Sequence, residues 1–277
     1  MTRVAVCAPA TPILPQHAVA ITALAAEIAP EVELVIHDQC FASEGHFAGP
    51  DTMRLSALLE CANDPSFDAV WFARGGYGSN RIAAAAIEGM DDVARQKTFL
   101  GYSDCGYLLA AMYKSGIGRP THGPMVADVG RKDGDAAARR ALRWLSDGCT
   151  GLEPSLGETP AVAFNLMTLS AILGTELMPD LSGHVVMIEE IAEHLYAVDR
   201  LMFHVTSNLS KCGLAGLRLG RVTNVPNNDR PFGSQPEDIV RFWCERHAID
   251  YLGEAEIGHF AGNHIVPFGV APPLARA

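Results

Sequence analysis

With 277 residues, 48% of them hydrophobic and 19% charged, the chain has enough apolar side chains for one large core or two modest ones without a disulfide or metal staple. A formal charge of −11 is the wrong sign for a protein that tracks nucleic-acid phosphates, and no run approaches the roughly 20 apolar residues of a membrane span. The seven cysteines are scattered with no CxxC pair, so they read as buried thiols rather than as a disulfide framework or a zinc site.

The opening apolar run, Val4-Ala5-Val6-Cys7, is too short for a secretion signal and reads as a first strand, which makes the cytoplasm the expected location. From there short β-branched runs alternate with Ala/Leu-rich amphipathic segments. Strands fall at 4–7, 32–36, 69–72 and 99–102, and helices at about 17–28, 53–62, 81–90, 107–114 and 136–145. Strands that are apolar throughout are those buried on both faces, so residues 1–148 are expected to form a parallel-sheet α/β domain of Rossmann or flavodoxin-like kind.

Two strand ends in this half carry candidate chemistry. After 69–72 comes Arg74-Gly75-Gly76-Tyr77-Gly78-Ser79, where glycines let backbone N–H groups face an anion. A phosphate-binding turn and a plain turn both remain open, because the run lacks the full G-x-G-x-x-G order and follows the third strand. After 99–102 comes Gly101-Tyr102-Ser103-Asp104 and then helix. A serine at a sharp strand-to-helix turn is held clear of the sheet beside the first free amides of the helix, so Ser103 is a candidate nucleophile; helix capping is its rival role. The G-x-S-x-G pattern is imperfect, with Cys105 in the last glycine position and Gly106 one residue later.

Residues 149–163, with Gly151, Pro154, Gly157 and Pro160, read as a linker to a smaller α+β domain over 164–277. There a short helix is expected at 165–173, strands at 185–188 and 214–222, and helices at 198–210 and from Pro236 to 246, before a Gly/Pro-rich tail. The apolar strand 185–188 runs into Glu189 and Glu190, and a glutamate there can hold an imidazole as the acid of a triad does; a solvated surface is the alternative. Near the end, His259 lies in a Gly-flanked loop able to reach another element, and as one of ten histidines it has a plain structural role as its rival reading. His122, His259 and His264 show no H-E-x-x-H or similar metal spacing, so neither metal nor cofactor is expected.

Taken in order, these segments resemble the LD-carboxypeptidase family, which includes peptidoglycan-recycling carboxypeptidases and microcin-immunity hydrolases. The resemblance rests on Val4–Pro9, Phe47-Ala48-Gly49, Phe67–Gly78, Gly101–Asp104, His122-Gly123-Pro124-Met125, Asn165-Leu166, Glu189, Asp199-Arg200, Gly258-His259 and Pro267-Phe268-Gly269. It implies Ser103 as nucleophile, Glu189 and His259 as its triad partners, and the backbone N–H groups of Gly76 and Asp104 as the oxyanion hole. It further implies cleavage of the L,D-bond to a terminal D-alanine of a murein tetrapeptide, and a homodimer. Arg74 and Gly75 are candidate substrate contacts. The microcin-immunity branch, acting on peptidyl or aminoacyl adenylate analogues, is the alternative within the family; a non-catalytic metabolite-binding protein using the glycine turn is the alternative outside it. Ala10-Thr11 stand where the family has serines, Ala163-Phe164 where it has a glycine pair, and Glu190 where it often has Asp. These departures bear on substrate preference and leave the triad untouched.

Overall fold

Two sheets share one continuous layer of apolar side chains in this computed structural model, which describes residues 1–271. The end of the expected C-terminal domain, 272–277, lies outside the described residues. The first sheet contains β1 (Thr2–Cys7), β2 (Val32–Ile36), β3 (Ala69–Phe72), β4 (Thr98–Gly101) and β5 (Arg119–His122), all parallel, in the order β5-β4-β3-β1-β2. Side chains alternate across it as strand geometry requires. Ala5, Cys7, Val70 and Phe72 face α2 (Asp51–Asn63), α3 (Ala83–Gly89) and α4 (Gly106–Ser115). Val4, Val6, Ala69 and Trp71 face α1 (Pro15–Ile28) and α5 (Gly134–Asp147). In α5 the buried positions, among them Ala137, Ala138, Ala141, Leu142 and Leu145, recur three and four residues apart, and Gly148 ends the helix at φ +69°.

The second sheet is built from β6 (Ala161–Asn165), β7 (Val185–Ile191), β8 (Gly216–Thr223) and β9 (Tyr251–Glu254), ordered β6-β7-β8-β9 and parallel throughout. Helices α6 (Leu166–Ile172), α7 (Leu195–Leu209) and α8 (Pro236–Arg246) connect these strands. The expected smaller unit is therefore present, with its strands more regularly parallel than a mixed α+β set. Phe164, Ile188 and Val198 of this unit lie in the same core cluster as Phe72, Tyr102 and Leu108 of the first, so one apolar interior runs through both.

After β9 the chain returns to the first sheet. The last strand, β10 (Val266–Pro267), pairs antiparallel with β5, placing Val266 opposite His122. Two isolated bridges, Leu152 to Ile265 and Ala161 to Gly269, fasten the same stretch. The loop before β10 is tied down as well: Arg140 of α5 donates to the carbonyls of Ala261 (3.1 Å) and Asn263 (2.8 Å), and Glu153 accepts from the Glu256 amide at 3.1 Å.

Several boundaries differ from the expected ones. Residues 161–163, placed in the linker, are fully buried and open β6; Pro160 directly before them had extended the look of a Gly/Pro-rich stretch. The strand expected at 185–188 continues through Glu189 and Glu190 to Ile191, because partners on either side bury both glutamates. The tail expected to be loop supplies β10, whose two residues are too few to show a period. Among the described residues no helix is long and apolar enough to cross a membrane.

Arg140→Ala removes two charge-assisted hydrogen bonds to the returning loop and is expected to cost about 2 kcal/mol of stability in urea denaturation. An unchanged midpoint would mean that the bridges to Leu152 and Ala161 hold the loop alone.

Candidate active site

β4 stops at Gly101, Tyr102 remains extended (φ −158°, ψ −166°), and the backbone then turns sharply at Ser103, whose φ is +59°. A non-glycine residue in this left-handed region costs about 1–2 kcal/mol and is kept only where its surroundings enforce it. Here they do. A Cβ on Gly101 would lie 2.6 Å from the Phe72 ring, and one on Gly106 would lie 3.0 Å from the Thr168 methyl, so both flanks of the turn are packed to the backbone. Thr168 also donates to the Ser103 carbonyl at 3.3 Å. The second glycine works one residue later than in the usual pattern because a 3₁₀ turn, Ser103–Cys105, is inserted before α4.

Ser103 Oγ lies 3.2 Å from His259 Nε2, and His259 Nδ1 lies 2.7 Å from Glu189 Oε2. A carboxylate partner requires the proton on Nδ1, which leaves the Nε2 lone pair facing the serine hydroxyl. The Glu189 side chain is 0% exposed and that of His259 5%, so the pair interacts with little screening by water. The two adjacent glutamates point to opposite faces of β7. Glu190 accepts from Asn165 Nδ2 (2.7 Å) and from the amides of Met167 (2.9 Å) and Ile191 (2.8 Å), and burial pushes its carboxyl up to about 7.

The glycine turn lies against Ser103: a Cβ on Gly75 would be 3.2 Å from the Ser103 Cβ and 3.4 Å from the Asp104 amide nitrogen. Gly76, at φ +105°, packs its α-carbon onto Thr11, whose hydroxyl donates to the Gly75 carbonyl at 2.5 Å. Among the described residues, the Gly76 and Asp104 amides donate to no carbonyl in the surrounding turns and loops. The Asp104 side chain fastens the two segments together, accepting from the amides of Gly78 (3.2 Å) and Ser79 (2.9 Å), while Ser79 Oγ donates to the Asp104 carbonyl at 2.6 Å. Burial raises the Asp104 carboxyl, against the pull of those donors and of Arg54. Arg54, itself fully buried, donates to the carbonyls of Pro9 and Gly78 and pairs with Asp51.

Behind the imidazole, the Tyr102 ring lies 4.7 Å from His259 between centroids, and its hydroxyl donates to Asp128 at 3.0 Å. His122 is wholly buried, with Nε2 3.0 Å from Asn263 Oδ1, the same oxygen that accepts from the Gly258 amide. Ser103 and His259 open into a cleft of about 460 Å³, also lined by His17, Arg74, Met125 and Arg131. Every residue expected at the site thus lies in or beside one cleft. The Asp104 side chain, Tyr102, Asp128, Arg131 and Asn263 were not expected there, and of these only Asp104, directly after Ser103, carried a signal; Thr11, noted as a departure from the family's serines, lies against the glycine turn. Among the described residues, no three His, Cys, Asp or Glu side chains converge as metal ligands would.

The strained turn predicts that Ser103→Gly is more stable than Ser103→Ala by about 1 kcal/mol in urea titration, since glycine adopts φ +59° without a Cβ penalty. Equal midpoints would mean that the turn has relaxed. Burial lowers His122 from 6.5 to about 4, against the opposing pull of Glu189. Between those two values the unfolded chain takes up a proton that the folded one refuses, so stability falls as pH drops from 6.5 to 4, by up to about 3 kcal/mol. The thermal midpoint of His122→Gln is expected to fall less steeply across that window; parallel curves for variant and wild type would assign the pH dependence elsewhere.

A family model described as the LD-carboxypeptidase N-terminal domain matches residues 4–123, and one described as the LD-carboxypeptidase C-terminal domain matches residues 158–273. A protein of Bacillus subtilis named "Probable murein peptide carboxypeptidase" is 29% identical over 248 residues, covering 84% of this chain and 76% of its own. The murein tetrapeptide carboxypeptidase of Pseudomonas aeruginosa is 24% identical over 241 residues, covering 81% and 78%. Among solved structures, muramoyltetrapeptide carboxypeptidase from Oxalobacter formigenes superposes with a TM-score of 0.78 at 23% identity, covering 97% of this chain and 93% of that one. The microcin C7 self-immunity protein MccF superposes at 0.80 with 18% identity, covering 97% and 91%. At such identities the structures speak for the fold, whereas the two family models account for both halves in sequence order: the chain belongs to the LD-carboxypeptidase family.

Proposed function

We propose that the protein is a serine carboxypeptidase that hydrolyses the L,D-bond to the terminal D-alanine of a murein tetrapeptide. The observation that carries this reading is the unbroken line from Ser103 Oγ through His259 to Glu189, set at a strained strand-to-helix turn. The names of the relatives supply the substrate class. His259 Nε2 takes the proton of Ser103 as Oγ attacks the scissile carbonyl. Glu189, which gains no proton itself, stabilises the imidazolium that forms. The amides of Gly76 and Asp104 receive the developing oxyanion; where such a donor has been removed from other hydrolases the loss is ~3 kcal/mol. The imidazolium then protonates the leaving amine, D-alanine departs, and His259 activates the water that releases the acyl group from Ser103.

A cytoplasmic homodimer completes the proposal. The seven cysteines, all unpaired, suit a reducing compartment, and the dimer rests on the family resemblance.

Mass spectrometry of an L,D-linked murein tetrapeptide incubated with purified protein is expected to show loss of one alanine. Ser103→Ala should abolish the loss, and Glu189→Gln should reduce kcat by about 10⁴-fold, with both variants folded. Wild-type protein that spares the tetrapeptide but cleaves an aminoacyl sulfamoyl adenosine would move the substrate to the microcin-immunity class. Equal activity in Ser103→Ala would remove the serine from the mechanism.

A further inference from the structure

One buried carboxylate at the cleft plays no part in the triad. Asp128, 3% exposed, accepts from Tyr102 Oη (3.0 Å), the Met125 amide (2.8 Å) and Arg131 Nε (2.6 Å). Its charge is thus shared among three donors. Because Arg131 is held through Nε, both of its terminal nitrogens are left without a protein partner among the described residues. The side chain is 41% exposed and lies on the wall of the cleft that Ser103 and His259 line. This is a guanidinium fixed at its base with its fork free, the geometry suited to two parallel bonds with a carboxylate.

Its position distinguishes it from the other arginine of the cleft. Asp128 binds Tyr102, the Tyr102 ring packs on His259, and the Glu189 carboxylate is among the charges that act on Arg131, so the guanidinium lies near the imidazole. The leaving nitrogen must meet His259 Nε2 to be protonated, and in a C-terminal amino acid the free carboxylate is two bonds from that nitrogen. A receptor for it therefore belongs on the imidazole side. Arg74 precedes Gly75 on the oxyanion side and leans toward the Pro12 carbonyl at 3.4 Å. In a chain of net charge −11, a fixed local cation also answers the general repulsion of an anionic substrate.

We infer that Arg131, anchored by Asp128, binds the free α-carboxylate of the departing D-amino acid and so restricts cleavage to the chain terminus. The inference rests on the carboxypeptidase reading and assigns the determinant of its exo-specificity. Arg131 is a specificity residue that touches substrate; Asp128 is a positioning residue that acts through it.

The experiment compares kcat/KM for the tetrapeptide ending in free D-alanine and for the same peptide ending in D-alanine amide. Wild type, Arg131→Gln, Arg131→Lys and Arg74→Gln are each assayed on both. Wild type is expected to favour the free acid by about 100-fold, the scale of losing one partner of a hydrogen-bonded charge pair. Arg131→Gln should lose that preference by slowing far more on the acid than on the amide, and an unchanged circular dichroism spectrum reports its intact fold. Arg131→Lys should fall between, and Arg74→Gln should keep the wild-type ratio. An Arg131→Gln enzyme that keeps the ratio, or that slows equally on both peptides, overturns the inference and leaves the carboxypeptidase reading standing. A wild type that cleaves acid and amide equally overturns it in the same way. A wild type that cleaves neither overturns both.

Discussion

His259 can reach Ser103 and Glu189 at once only because the chain crosses back from the second sheet to the first. Glu189 belongs to β7 and Ser103 follows β4, and neither strand pairs with the other. The loop after β9 spans the gap. It is held at one end by Ile257 and Ala255, packed against β6 and β7, and at the other by β10 on β5. Between those anchors, Arg140 and His122 of the first unit grip Asn263, which in turn holds the amide of Gly258 beside the imidazole. The distances of 2.7 and 3.2 Å about His259 are therefore a property of how the two sheets are joined.

Three of the charges buried around the site are given several donors or acceptors, while the Glu189 carboxylate has His259 as its one hydrogen-bond partner and its Oε1 has none among the described residues. Arg54 binds two carbonyls and Asp51, Asp104 two amides and Glu190 three N–H groups. A buried ion left with one partner would cost several kcal/mol, and these sets of short bonds offset that cost. They also act as spacers. Asp104 keeps the glycine turn at a fixed distance from the turn at Ser103. The strain at Ser103 is supported in the same way, by ring and methyl contacts that leave its backbone no roomier conformation.

Much of this was legible in the sequence, for reasons that differ by element. The strands 32–36 and 69–72 and the helix opening at Pro236 stand where expected, because apolar runs and a proline at the first helical turn are local signals. β5 was missed: Arg119-Pro120-Thr121-His122 has neither an apolar run nor a period, and its burial comes from β4 and β10 on either side. β9 is four half-exposed residues, one of them glycine. At the site, Ser103 and the glycine turn were visible as strand ends. The choice of Glu189 over Glu190 came from resemblance alone, and only the pleat of β7 shows why one faces His259 and the other Asn165. Asp128 and Arg131 could not be found this way, since a carboxylate and a guanidinium three residues apart look like any surface pair until Tyr102 is placed above them.

The antiparallel β10 also sets the order in which the protein is finished. A ribosome extrudes β1 to β5 long before it reaches Val266, and until then β5 offers an unpaired edge and Ser103 has no imidazole beside it. The nascent first half thus carries the Ser103 hydroxyl with no imidazole to pair it. Closing the sheet edge and seating the imidazole are one late event in its biosynthesis.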